Sequence, residues 1–145
     1  MKISSLEEFN KLNKFGRGNL NTAFAKYFIG DSYLNKLTPD TSSLALFNVS
    51  FDKGCRNAWH IHNASNGGGQ ILVCTCGEGW YQEENKEPIS LKEGMVIFIP
   101  ANVKHWHGAK RDSYFSHIAI EVPGENTSTT WLEEVSDETY LALKD

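Results

Sequence analysis

Trp59-His60-Ile61-His62 is the stretch on which the fold turns. On a β-strand successive side chains alternate between faces, so both imidazoles leave one side while Trp59 and Ile61 leave the other. Two neutral imidazoles converging on one point make half of a metal coordination sphere. Downstream, Lys104-His105-Trp106-His107-Gly108 repeats the spacing, and His117 in Ser116-His117-Ile118-Ala119-Ile120 completes the five histidines.

Working outward, the flanking sequence reads as short strands divided by turn residues. Leu44 to Phe51 ends at Asp52-Lys53-Gly54, Arg56 to His62 at a loop with Gly67-Gly68-Gly69, and Gln70 to Cys76 at Gly77-Glu78-Gly79. Trp80 to Gln82, Ile89 to Leu91, Met95 to Ile99, His105 to Ala109 and Tyr114 to Val122 follow, and Pro123-Gly124 closes the sheet. Weaker strand signals precede these at Phe24 to Ile29 and Tyr33 to Leu37. Strands recurring about every 8 to 12 residues, with no βαβ unit, predict an all-β sandwich or barrel. Ser5 with Glu8 forms a capping box before Leu6, Phe9 and Leu12, which predicts a helix over about 5–14. The barrel spans about 24–123. A helical tail over about 129–143, with Ser136 as N-cap, would pack on the barrel through Trp131, Tyr140 and Leu141.

The 145 residues suffice for one domain, 1–145. A net charge of -4 and no basic run longer than Lys110-Arg111 argue against nucleic acid as a partner. No stretch approaches the roughly 18 apolar residues of a membrane span, and the first residues have no signal-peptide pattern, so a cytoplasmic protein is expected. Three cysteines, Cys55, Cys74 and Cys76, fit a reducing compartment, the last two as core or cavity lining.

Gln70 shares a strand face with Leu72, Cys74 and Cys76. If that face is inward, its amide oxygen can join His60, His62 and His105 around an ion, leaving positions open as catalytic metals require. Three nitrogens and one oxygen suit divalent Mn, Fe, Co, Ni or Zn. An amide in place of a carboxylate makes such a site one unit more positive. Phe115, His117, Ala119 and Glu121 would face the same cavity, with Glu121 as a general base or cation partner. Tyr33 and Trp80 are candidates for its mouth, and Trp59 and Trp106 for outward packing or a subunit interface.

Gly54, five residues, His60-Ile61-His62, then Gln70, six residues, Gly77 resembles the first motif of the cupin superfamily. Gly94, five residues, Pro100, then His105 resembles the second, with Asn102 and Ala109 in place of its usual Gly and Asn. The blocks Trp59–His62, Gln70–Val73, Lys104–Ala109 and His117–Ile120 are similar to small cupins that include bacterial manganese-dependent hydroxynitrile lyases, where Gln replaces the usual Glu ligand. The chain also resembles the cupin half of fusions to a carboxymuconolactone decarboxylase-like domain. The resemblance implies a double-stranded β-helix (jelly-roll) barrel, with manganese foremost among the possible ions. It further implies a metal-dependent lyase on a small oxygenated substrate, with His107 and His117 moving the proton, and a homodimer or homotetramer. The alternatives are an iron-dependent dioxygenase at the same ligands and a non-catalytic cupin acting with a decarboxylase-like protein.

Overall fold

The computed structural model describes residues 1–145. Its organising element is a continuous 14-residue strand, Gln70–Glu83, which belongs to both of two antiparallel sheets. The first half pairs with Phe115–Glu121 and Val96–Ile99; the second half pairs with His105–Ala109 and Ile89–Lys92. One sheet continues through Leu46–Phe51, Ser32–Lys36 and Asn19–Leu20, the other through Arg56–Asn57 and Phe28–Ile29. Between them lies a core built on Phe51, Leu72, Cys74, Leu91, Ile99 and Phe115.

The expected turn at Gly77-Glu78-Gly79 is therefore corrected to strand. The two glycines are there because other backbone comes too close for a side chain: a Cβ at Gly77 would collide with the Tyr114 carbonyl, and one at Gly79 with the Gly108 carbonyl. Gly77 also has φ +71, and the pairing register slips nearby, between Ser116 and His117. A bulge of this kind bends a strand and lets it pass from one sheet to the other.

Other expectations shift in detail. Phe24 to Ile29 is a turn, a 3-10 helix at Ala25–Tyr27 and a two-residue strand, and Arg56 to His62 divides into Arg56–Asn57 and His60–Asn63. The sheet does not stop at Pro123-Gly124, because Gly124–Glu125 pairs with Asn66–Gly67, and Ser128–Trp131 pairs with His60–Asn63. The tail is thus helical only over Asp137–Leu141. β-branched Thr129 and Thr130 satisfy the open edge of the histidine strand, which a helix there would leave unpaired.

Both termini seal the barrel. The Ser5 hydroxyl accepts from the Glu8 N–H at 3.3 Å, starting the helix Leu6–Leu12, whose Phe9 is fully buried with Ile3 and Cys76. Burying one such ring stabilises by about 2–3 kcal/mol. Cys76 therefore packs under this helix, apart from Cys74, which lies in the main core. At the other end Ser136 caps the short helix through the Thr139 N–H, and Tyr140 donates to the Ala109 carbonyl at 2.6 Å. Tyr140 and Val135 cover Trp106 and Trp80 on the outside of the barrel, whereas Leu141 is exposed. Trp80 and Tyr33 do not border the main cavity. All three cysteines are free and buried, and burial pushes the Cys74 thiol up to about 12. No helix is long and apolar enough to cross a membrane.

Candidate metal centre

His60 and His105 are direct cross-strand partners, so their rings meet at 4.2 Å between centroids. His62, two residues along, completes a group in which one ring nitrogen from each histidine lies within 4.8 Å of the others. All three side chains are buried. The protons of two rings are placed by backbone carbonyls: His60 Nδ1 donates to Ala58 at 2.8 Å, and His105 Nδ1 donates to Val103 at 2.9 Å. Each therefore carries its lone pair on Nε2. Burial, together with the neighbouring imidazoles, holds His60 well below the ordinary histidine range and brings His105 to about 4. Neutral rings are what a cation requires.

Gln70 borders the same cavity as His60 and His62. Its Oε1 is buried without a partner, as are His62 Nε2 and His105 Nε2. Of these, Gln70 Oε1 and His105 Nε2 are acceptors, and buried acceptors left unpaired are costly unless something positive binds there. A divalent cation fits this set of donors, and His60, His62, His105 and Gln70 are the residues that could hold it.

Beside them lies a second, separate pair. His107 Nδ1 and His117 Nε2 are 3.2 Å apart, and both residues are buried. Burial holds both rings neutral, His117 at about 3 and His107 well below its ordinary value, the latter also through the adjacent histidines. The tautomers follow from Asn57, whose Oδ1 accepts from the His107 backbone N–H at 2.9 Å, so that its Nδ2 is the atom 3.1 Å from His107 Nε2. His107 Nε2 must accept, Nδ1 must carry the proton and donate to His117 Nε2, and the His117 proton must be on Nδ1. Sequence reading missed Asn57. Its role depends on the pairing of Arg56–Asn57 with His105–Ala109, for which the local pattern gives no signal.

The remaining expected residue, Glu121, stands at the rim with its side chain 65% exposed and hydrogen-bonds Gln70 at 2.7 Å. His60, His62, Gln70, His107, His117 and Glu121 all border one cavity of about 700 Å³, and His105 sits behind it. The rest of its wall is mainly apolar, with Phe24, Phe28, Phe47, Phe51 and Trp131 prominent. Trp131, expected in a helical tail, instead stacks on His60 at 4.6 Å and on Tyr27 at 4.4 Å.

Asn102 takes the place of the usual motif glycine without losing the turn. It adopts φ +67, a conformation Asn tolerates better than most residues. Its amide also bonds both the N–H and the carbonyl of Ala64, at 3.0 and 2.9 Å, tying the loop before Gln70 to the second histidine segment.

No protein-family model matches the chain. It is 35% identical over 118 residues to (R)-mandelonitrile lyase of Granulicella tundricola, covering 80% of this chain and 87% of that protein. A cupin-like protein from Thermotoga maritima is also 35% identical, with a TM-score of 0.73 over 87% of this chain and 92% of its own. DMSP lyase DddQ from Ruegeria pomeroyi shares the fold at 21% identity, with a TM-score of 0.58 over 83% of this chain and 59% of its own. With the two-sheet barrel and its histidine cluster, this likeness places the chain in the cupin family, as a small member related to (R)-mandelonitrile lyase.

Proposed function

We propose that this cupin is a metal-dependent lyase acting on a small hydroxylated substrate with an apolar substituent, of the cyanohydrin type. The observation that carries the reading is the meeting of unpartnered Nε2 and Oε1 acceptors with a buried His107–His117 pair at one apolar cavity. The likeness to (R)-mandelonitrile lyase supports the choice of chemistry. Mn, Fe, Zn, Ni and Co all suit this donor set, and manganese is put first on the resemblance to manganese-dependent hydroxynitrile lyases. When bound by His60, His62, His105 and Gln70, such an ion supplies Lewis acidity and a counter-charge for an anionic leaving group.

The chain's own residues do the rest. Phe24, Phe28, Phe47 and Trp131 take the apolar substituent and keep water from the reacting carbon. In cleavage the substrate hydroxyl takes the place of the His107 N–H at His117 Nε2 and gives its proton to that nitrogen, as the bond from the carbinol carbon to cyanide breaks and the carbonyl forms. Because burial disfavours the imidazolium, the pair does not retain that proton, which passes to the departing cyanide and leaves as HCN; the reverse reaction returns it by the same route. The test is cyanide release from mandelonitrile by protein stripped of metal and reloaded with Mn²⁺. Release well above the stripped control is expected; none above it overturns the assignment.

A further inference from the structure

Gln70 and Glu121 are cross-strand partners, so their side chains leave the same face of the sheet. Gln70 Nε2 donates to Glu121 Oε1 at 2.7 Å. An ionised carboxylate only accepts, so this contact holds the amide one way round, with NH₂ toward the rim and Oε1 inward. The orientation is decisive for a cation, because the amide nitrogen offers no usable lone pair. Oε1 is the atom that the structure leaves buried and unpartnered among the histidines.

The other carboxylate oxygen, Oε2, is 3.9 Å from His62 Nδ1. That is too long for a hydrogen bond, yet the negative charge favours the ring proton on the near nitrogen and so the lone pair on Nε2. Ala58 and Val103 orient His60 and His105 with carbonyls; on the Nδ1 side of His62 the structure places the Glu121 carboxylate.

We propose that Glu121 is a positioning residue: it fixes the Gln70 amide and the His62 ring for a divalent cation, and supplies from outside the ligand set the negative charge that a ligating carboxylate would bring. This rests on the metal-centre reading above. Of the two roles expected from sequence, general base or cation partner, this one is closer to the second. The neutral ligand and its charged neighbour together act as a carboxylate displaced outward.

The test uses the whole chain, stripped of metal, and titrates Mn²⁺ alone, following the free-ion signal by electron paramagnetic resonance. The variants are Glu121→Gln, Glu121→Ala and the double variant Gln70→Glu with Glu121→Gln, each checked for an unchanged circular dichroism spectrum. Removing an orienting partner typically weakens metal binding by about 10–100-fold. That loss is expected for both single variants, and the double variant, which puts the charge on the ligand itself, should regain most of it. Glu121→Gln within twofold of wild type, or a double variant no better than Glu121→Gln, overturns the proposal. Wild-type protein that takes up no Mn²⁺ and no other divalent ion would instead remove the metal centre, and this assignment with it.

Discussion

Asn57 holds His107 at two points, accepting from its backbone N–H at 2.9 Å and donating to its Nε2 at 3.1 Å. The first bond fixes which way the amide faces, and the second then fixes the ring's tautomer. A single buried amide thereby decides where the protons lie along the whole Asn57–His107–His117 chain.

Asn57→Asp should reverse that assignment, because a carboxylate there can only accept and would draw the His107 proton to Nε2. Imidazole ¹⁵N shifts read this directly. Wild type is expected to be protonated on His107 Nδ1 and the variant on Nε2, and identical spectra would contradict the derived tautomer. Asn57→Ala leaves the buried His107 N–H without an acceptor and should cost about 1–3 kcal/mol in urea unfolding.

His117 touches none of the four candidate ligands by hydrogen bond. His117→Gln should therefore keep bound metal at the wild-type level while cyanohydrin cleavage falls by about 10²–10⁴-fold, the usual contribution of a general acid–base group. Loss of metal together with activity would move His117 into the ligand set.

Buried neutral histidines make the metal-free protein acid-sensitive. The folded-state values of His105, about 4, and His117, about 3, lie below the unfolded value of 6.5, so the unfolded chain binds more protons across that interval. Stability is fully present above pH 6.5 and is lost as pH falls through the folded values. Between pH 7.5 and pH 5 each such histidine should cost about 2 kcal/mol, seen as a lower urea midpoint. An equal or higher midpoint at pH 5 would contradict the burial of these rings as neutral species.

Gly77→Ala and Gly79→Ala test the bend of the shared strand. Each new methyl meets backbone carbonyl oxygen that cannot withdraw, so a loss of roughly 3 kcal/mol or more is expected. Gly54→Ala faces open space and bears only the backbone strain of φ +80, about 1 kcal/mol. Thermal melts that rank Gly54→Ala with the other two would show that the crossing point is looser than described.

The histidine segments were legible because strand alternation acts locally: the side of the sheet a residue faces follows from its neighbours. The inward set Phe115, His117, Ala119 and Glu121 was readable on the same ground, and all four border the core or the cavity. Pairing between distant strands was not. Gln70 with Glu121 and Arg56 with Gly108 are register facts, set by the bulge and by loop lengths, and they carry the roles of Glu121 and Asn57. Glycine was ambiguous for a different reason: it serves both turns and close approaches, so Gly77-Glu78-Gly79 read as a turn when Tyr114 and Gly108 backbone lay against it. Trp131 was misplaced because the polar periodicity after it suggested a helix, while the unpaired edge of His60–Asn63 drew it into a strand.

The most direct test of the metal centre is elemental analysis of purified wild type beside His60→Ala and His105→Ala. About one divalent transition ion per wild-type chain is predicted, with that ion lost from both variants and their β-sheet circular dichroism retained. Full metal occupancy in both variants would contradict the centre assigned to His60, His62, His105 and Gln70.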